Sequence, residues 1–329
     1  MLKQTAVALG VSVILSGCVS TIDPVCMPDS TVPMAKADVM AKSSEDRKVI
    51  VLPVDMDFKD SAQKKMQATM RNALESQVVE TGTQLVDRKL ANKLKSEIKL
   101  AEQSGRYNTK GVPIADYAVL TEITGADLSS SFRESYSYKT KKGKTKHVPA
   151  KCSFEVDVNA IVKVVSLPDM TVVKRIDIHG DKTSSSEMNN SKCPISHAGY
   201  QSLASQAAAE AVEYNNDIKM LLAAKAPTLE LRQCESGSMV KIGVGSNKNV
   251  QPNSVVKFST IIKNAQGELE TFTLGQGEVL NNPADGIKPK YSWVNVDEEM
   301  ALKLHEGDAA QIVPDDGCSW LNPECLLQN

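Results

Sequence analysis

The chain predicts an α/β (α+β) fold, a three-layer mixed sheet with crossover helices, followed by a small all-β barrel. Three observations carry that expectation. Lys48–Val54 (KVIVLPV), Thr83–Val86 and Asp116–Ala126 read as strands and alternate with two stretches of helical period, the order of a parallel sheet with crossovers. Past Gly125 the pattern changes to period-two alternation between turns, which adds antiparallel strands. From Thr228 onward only short strands occur, separated by Asn and Gly turns, and such strands bury their apolar faces by closing on themselves. The expected division is 1–17 signal peptide, 18–46 tether, 47–226 α/β domain and 227–329 barrel domain with a cysteine-containing tail.

The N-terminus sets the compartment. Lys3 precedes an apolar segment, Ala6 to Leu15, and the segment ends in Leu15-Ser16-Gly17-Cys18. Small residues before one cysteine suit a peptidase that cleaves there after the thiol is diacylated, the bacterial lipoprotein pattern. About 13 apolar or small residues are too few to cross a hydrocarbon core, which needs about 20. Cys18 is therefore the expected lipidation site, and its two or three acyl chains suffice for stable anchoring, which takes about two. Val19 stands where an Asp would favour inner-membrane retention, so the expected location is the outer membrane, facing the periplasm. Val19 to Asp46, interrupted by Pro24, Pro28 and Pro33, reads as a tether that lifts the body off the membrane.

The elements follow in order. After the first strand, Ala62, Met66, Met70, Ala73, Leu74 and Val78 share one helical face, with Ser61 as N-cap and Gly82 as terminator. Asp87 caps a second helix with Leu90, Leu94, Ile98 and Ala101 in register, stopped by Gly105. Ser129–Thr140 runs outward, Lys141-Lys142-Gly143-Lys144 turns, and Cys152–Ser166 returns with Phe154, Val156, Val158, Ala160, Val162 and Val164 on one face. Pro168-Asp169 turns again into Met170–Ile178. One long helix is expected from Pro194 to about Ala224, packing small residues such as Ala207 and Ala211 on the sheet, and Ala226-Pro227 closes the domain. The barrel strands are expected at Leu229–Gln233, Met239–Val244, Val255–Ile262, Glu268–Val279, Trp293–Asp297 and Ala309–Pro314, with a helical turn or two within Asp297–His305.

Composition narrows the chemistry. The net charge is −2, which gives no field to attract nucleic acid, and aromatic residues make up 4% of the chain, so the cores should be aliphatic. Seven cysteines leave six once Cys18 is acylated, an even number that reads as disulfides in an oxidising compartment. Several connectivities are open; the preferred set is Cys318 with Cys325, Cys152 with Cys193, and Cys26 with Cys234. No spacing brings His147, His179, His197 and His305 together with cysteines as metal ligands. No nucleophile elbow or phosphate loop occurs, and Gly243-Val244-Gly245 lacks the rest of a dinucleotide fingerprint. The chain is therefore expected to be non-enzymatic and to need no cofactor.

The order KVIVLPV, amphipathic helix, TQLVDR, a helix ending LAEQSG and then ADYAVLTEITGA resembles the CsgG family of curli-secretion proteins. Its relatives include the lipoprotein LpoB and the middle domain of the flagellar-motor protein FlgT. The match covers about Lys48 to Ala126, on Val86-Asp87-Arg88, Gln103-Ser104-Gly105 and Ala115-Asp116-Tyr117. It implies a CsgG/TolB-N-like α/β domain. Gly237–Val244 and Glu306-Gly307-Asp308 are similar to the SH3-like barrel that ends FlgT. Curli-type channels insert two hairpins per subunit, at positions that fall here on Ser129–Cys152 and Asp181–Ser191. Neither stretch has the apolar outer face of a membrane strand, so no pore is expected.

One surface motif stands out. Tyr136 and Tyr138 lie beside Lys139, Lys141, Lys142, Lys144 and Lys146, a set that either keeps a hairpin tip solvated or contacts an anionic partner. Taken together, the expected protein is an outer-membrane lipoprotein anchored through Cys18. It acts with envelope protein partners as a scaffold subunit of a secretion or flagellar-motor machine, and it forms homo-oligomeric rings. The alternative is a tethered regulator that activates a peptidoglycan synthase.

Overall fold

The computed structural model describes residues 22–44, 47–87, 89, 91–93, 115–167, 171–213 and 215–314. A two-residue strand, β1 (Thr31–Val32), precedes β2 (Lys48–Val51), in which Val49, Ile50 and Val51 are buried. Pro53 has no N–H to give a ladder, so the strand expected to reach Val54 stops at Val51 and resumes as β3 (Asp55–Met56). Helix α1 (Gln63–Glu80) buries Met66, Met70, Ala73, Leu74 and Val78. Its N-cap residue is Ala62 rather than Ser61, and the Asp60 Oδ1 accepts the Ala62 N–H at 2.6 Å. A carboxylate is a stronger acceptor than a hydroxyl for that amide. Gly82, at φ +68°, turns the chain out of the helix into β4 (Gln84–Leu85).

Asp87 Oδ1 accepts the Lys89 N–H at 2.8 Å, the expected cap of the second crossover helix. Lys89 and residues 91–93 are helical, while Leu90 and the stretch from Leu94 to Gly105 lie outside the described residues. β5 (Tyr117–Arg133) runs on past the expected strand end at Ala126 and takes in the start of the outward run expected from Ser129, with only a register shift between Ile123 and Gly125. β6 (Tyr136–Lys139) and β7 (Thr145–Val148) pair with each other as a separate two-stranded ribbon. β8 (Lys151–Ser166) and β9 (Thr171–Glu187) complete the first sheet, in the order β4-β2-β5-β8-β9 with β3 beside β5. β2 pairs in parallel with β4 and β5, whereas β8 is antiparallel to both β5 and β9. β9 continues to Glu187, past the expected end at Ile178, because β8 offers it a partner all the way to Lys151.

The long helix expected over Pro194–Ala224 is two helices, α2 (His197–Glu213) and α3 (Asn216–Leu222). Asn215 breaks it: its Oδ1 accepts the Ile218 N–H at 3.0 Å, and asparagine favours such caps over helix interiors. Helices α1 and α2 pack on one face of the sheet, joining Met66, Met70, Ala204 and Ala208 to Val156, Val158 and Val162. On the other face Ile50, Leu52, Ala118 and Val165 gather around Ala91 of the second crossover helix, which makes the third layer.

The remaining strands are β10 (Lys225–Cys234), β11 (Gly237–Ile242), β12 (Val255–Lys263), β13 (Leu269–Val279), β14 (Ser292–Val296) and β15 (Ala309–Ile312), with α4 (Glu298–Lys303) between the last two. They close in the order β10-β11-β14-β13-β12-β15, and β15 returns to β10, a six-stranded antiparallel barrel. Its core holds Val240, Ile242, Val256, Phe258, Val294 and Ala310. Ala226-Pro227, expected as a closing linker, lies inside β10 opposite Ala310 and Ala309, because the barrel cannot close without that stretch. The protein is thus mixed α+β with a closed barrel, the predicted class.

Candidate functional site

Cys18 lies outside the described residues, as do Cys318 and Cys325. The segment downstream of Cys18 overturns one expectation: residues 22–44 are not a free tether but a strap bound along the barrel. The Asp23 N–H donates to the Asn281 carbonyl at 3.3 Å, and its Oδ2 accepts the Asn281 N–H at 2.9 Å. A disulfide joins Cys26 to Cys234, with Cα atoms 5.8 Å apart. Val25 and Cys26 cover Met239, Leu280 and Trp293 on the outside of the barrel. β1 then pairs with β10 at Leu231 and Arg232, beyond the residues that β15 occupies, so the strap extends the barrel's own ladder. Farther on, the Ala37 N–H donates to Glu306 O at 2.9 Å, Ala41 N–H to Gly307 O at 2.8 Å and Ser44 N–H to Lys225 O at 2.7 Å. Prolines do not prevent this, because a strap laid on an edge needs only some of its amides.

Glu230 on β10 is the clamp of the strap. Its Oε1 accepts the Thr31 hydroxyl at 3.0 Å and Arg232 Nε at 2.7 Å, and its Oε2 lies 3.5 Å from Lys241 Nζ. Burial pushes this carboxyl up, but the Arg232 and Thr31 bonds and the Arg232 and Lys241 charges outweigh it, and the pKa falls below the usual value. Arg232 also lies 4.3 Å from the Trp293 ring centroid, and its Nη1 donates to Cys26 O at 2.8 Å. Sequence reasoning missed this group, since no local pattern links Thr31 to a strand that begins at Lys225.

The predicted partner residues do come together. β6 and β7 form an arm that continues outward from β5 and β8, and every residue of β6 is exposed. Pro149, between β7 and β8, and the residues after Arg133 interrupt the ladder, so the arm is its own ribbon. Its turn is a three-residue loop: the Thr140 N–H donates to Lys144 O and the Gly143 N–H to Thr140 O, both at 2.9 Å, with Gly143 at φ +75°. The loop closes on a left-handed residue, a conformation that glycine adopts most readily. Tyr136 and Tyr138 are 48% and 45% exposed, with ring centroids 6.2 Å apart. Arg133 stacks 5.5 Å from the Tyr136 centroid, a member of the group that its sequence neighbours alone did not suggest. Lys139 and Lys146 stand on the two strands and Lys141, Lys142 and Lys144 in or beside the turn, and none makes an ion pair with a described residue.

A second disulfide, Cys152 to Cys193, ties the start of β8 to the segment before α2, with Cα atoms 5.6 Å apart. The histidines stay apart. His147 Nδ1 lies 3.2 Å from Ser137 Oγ across the arm, His179 Nδ1 lies 3.1 Å from Asn159 Oδ1, and His197 Nε2 lies 2.9 Å from Gln201 Nε2. His305 lies 3.4 Å from the buried Asp308, but the nearby Thr228 hydroxyl donates to the His305 carbonyl, which makes no nucleophile pair with the ring. No cluster of three metal-ligating side chains occurs among the described residues. A cleft of about 790 Å³ opens between α1, α3 and the barrel, lined by Glu80, Asn216, Lys219, Lys248, Asn253 and Pro314 among others. No described helix is long and apolar enough to cross a membrane.

No family model and no curated protein matches the chain. Among solved structures it is similar to a homologue of the neuraminyllactose-binding haemagglutinin from Helicobacter pylori, at 9% identity and TM-score 0.30, over 54% of this chain and 84% of that one. Lipoprotein GNA1162 from Neisseria meningitidis is similar at 13% identity and TM-score 0.24, over 44% of this chain and 86% of that one. The PelC dodecamer from Paraburkholderia phytofirmans is similar at 11% identity and TM-score 0.22, over 53% of this chain and 94% of that one.

Proposed function

We propose that this protein is a non-enzymatic scaffold subunit, anchored in the outer membrane through acylated Cys18 and held close against its periplasmic side. It would build, as a ring of copies, part of an envelope machine for secretion or a flagellar motor. The observation that carries this reading is the strap. Asp23 is already fixed to the barrel, and it lies only five residues after Cys18. At roughly 3.3 to 3.6 Å per residue the leash is at most about 17 to 18 Å long. A body held that close works at the membrane surface. A regulator that reaches through the cell wall needs a long free tether, so the strap argues against that alternative.

Two measurements test the proposal. Cys18→Ser is expected to abolish palmitate labelling in cells and to release the protein from the membrane fraction; retention of both would end the lipid-anchored reading. The lipidated protein, extracted in mild detergent, is expected to give a native mass of many copies and ring-shaped particles by electron microscopy. A persistent monomer, in extracts and in crosslinked cells alike, would remove the scaffold role.

A further inference from the structure

We infer that the β6–β7 arm is a binding surface for an anionic polysaccharide chain, one whose sugar rings stack on Tyr136 and Tyr138 while its acid groups meet the lysines. The arm makes little sense as structure alone. A two-stranded ribbon exposed on its strands gains little from packing, and it is marginal in water by itself. Charges that guard a sheet edge against pairing belong on the strands. Lys139 and Lys146 stand there, but Lys141, Lys142 and Lys144 stand in or beside the turn, where no edge exists. From Ser135 to Lys151 the chain carries six lysines and no aspartate or glutamate, and the single neighbouring carboxylate, Glu134 beside Arg133, leaves the arm with a large positive excess.

The layout selects the partner. Tyr136 and Tyr138 are two apart on one strand, so both rings project from one face, opposite Val148 and Lys146. Arg133 extends that row at the base, and the turn lysines lie at the tip. A bilayer entered tip first would meet the lysines before the tyrosines, the reverse of the depth order that aromatic and basic residues take at a membrane. A globular acidic surface would touch the tip and leave the rings idle. A flexible chain can run along the arm and use both. A single-stranded nucleic acid offers rings and charge as well; the lipid-anchored reading excludes it, and in that respect alone this inference rests on the proposed function.

The test uses the full chain in detergent and four probes: alginate, linear inorganic polyphosphate, a thymidine oligonucleotide and phosphatidylglycerol bicelles. Alginate is expected to bind with a steep salt dependence. The triple variant Lys141→Gln, Lys142→Gln, Lys144→Gln should weaken it about tenfold, three exposed pairs being lost. Tyr136→Ala with Tyr138→Ala should weaken alginate about thirtyfold or more, as for other stacking platforms that lose two rings, and leave the ringless polyphosphate unchanged. Thermal midpoints should not move, since none of these side chains is in a core. The inference is overturned if the tyrosine variant binds alginate as the parent does. It is also overturned if bicelles or the oligonucleotide displace alginate at lower concentration than alginate itself. None of those results would disturb the Cys18 labelling or the ring assay, so the two readings fail separately.

Discussion

At Glu230 three interactions decide one charge, and the sign of its effect can be worked out. Its folded pKa lies below the ordinary carboxylate value of about 4.3. Its contribution to stability is therefore present above that value and is lost as pH falls through the folded pKa. Glu210 on α2 is the opposite case. Burial raises it, and the Lys182 contact offsets only part of that, so its charge costs stability once pH rises above the unfolded value. The two cancel in part, and only single variants separate them. Glu230→Gln should lower the urea midpoint at neutral pH and flatten the loss of stability as pH falls below the ordinary carboxylate value of about 4.3; an unchanged acid slope would remove Glu230 as the clamp. Gly180 on β9 makes a steric prediction. A Cβ there would lie 2.3 Å from Ala207 O and from Ala211 N, because α2 rests directly on the strand. Gly180→Ala should cost about 3 kcal/mol in chemical denaturation, the upper end of ordinary overpacking. The sequence already suggested that Ala207 and Ala211 pack against the sheet. It held no sign of which strand residue receives them, since that depends on register between elements far apart in the chain.

Among the elements, the strap is where sequence and structure part most widely. Val19 to Asp46 has the composition of a loop, and local composition is all that a sequence offers there. The order of residues 22–44 comes largely from partners more than two hundred residues away: Cys234 for Cys26, Asn281 for Asp23, Glu306 for Lys36. The break between α2 and α3 was different, because Asn215-Asn216-Asp217 is a capping sequence in plain view inside a long helical pattern. Strands β2, β5 and β8 were legible, since buried β-branched runs have few other homes. The lysine and tyrosine cluster was legible as a group, but not its separation from the main sheet. Reduction of the Cys26 to Cys234 link gives a test at this scale. A chain carrying Cys26→Ser and Cys234→Ser should lose about 2 to 4 kcal/mol. Amide exchange should quicken from Asp23 to Val32, while the β8 and β9 amides stay protected. Equal protection in the strap would mean that β1 and the Glu230 clamp hold it unaided.

For the whole molecule the question is what couples the sheet core to the barrel core. At the end of helix α1 the Thr81, Thr83 and Gly82 N–H groups serve the Gln77, Val78 and Val79 carbonyls, which leaves the Glu80 and Gly82 carbonyls beyond them without a local donor. The barrel supplies the donors: Lys248 Nζ donates to Gly82 O at 2.7 Å, and Asn249 Nδ2 to Glu80 O at 2.9 Å. A cation at a helix C-terminus adds about 0.3 to 1 kcal/mol through the helix dipole. Fit is tight as well, because a Cβ on Gly82 would lie 2.3 Å from the Lys248 Cα. Nearby, Ser44 and Lys225 exchange backbone and hydroxyl bonds, and Lys225 is held below the ordinary ammonium range by burial and then by Arg47. Gln311 Nε2 closes the other side of the seam on Met220 O at 2.6 Å. These bonds are few and polar, so they set the coupling between two cores that each have their own apolar interior. Calorimetry of the parent should give one transition, with the calorimetric and van't Hoff enthalpies equal. Lys248→Ala with Asn249→Gly keeps the left-handed backbone at position 249, φ 55°, and removes both caps. That variant should unfold in two steps, one for each core, with the near-ultraviolet signal of Trp293 following the barrel step. A single transition of undiminished cooperativity would instead assign the coupling to the strap and the Ser44 to Lys225 bonds.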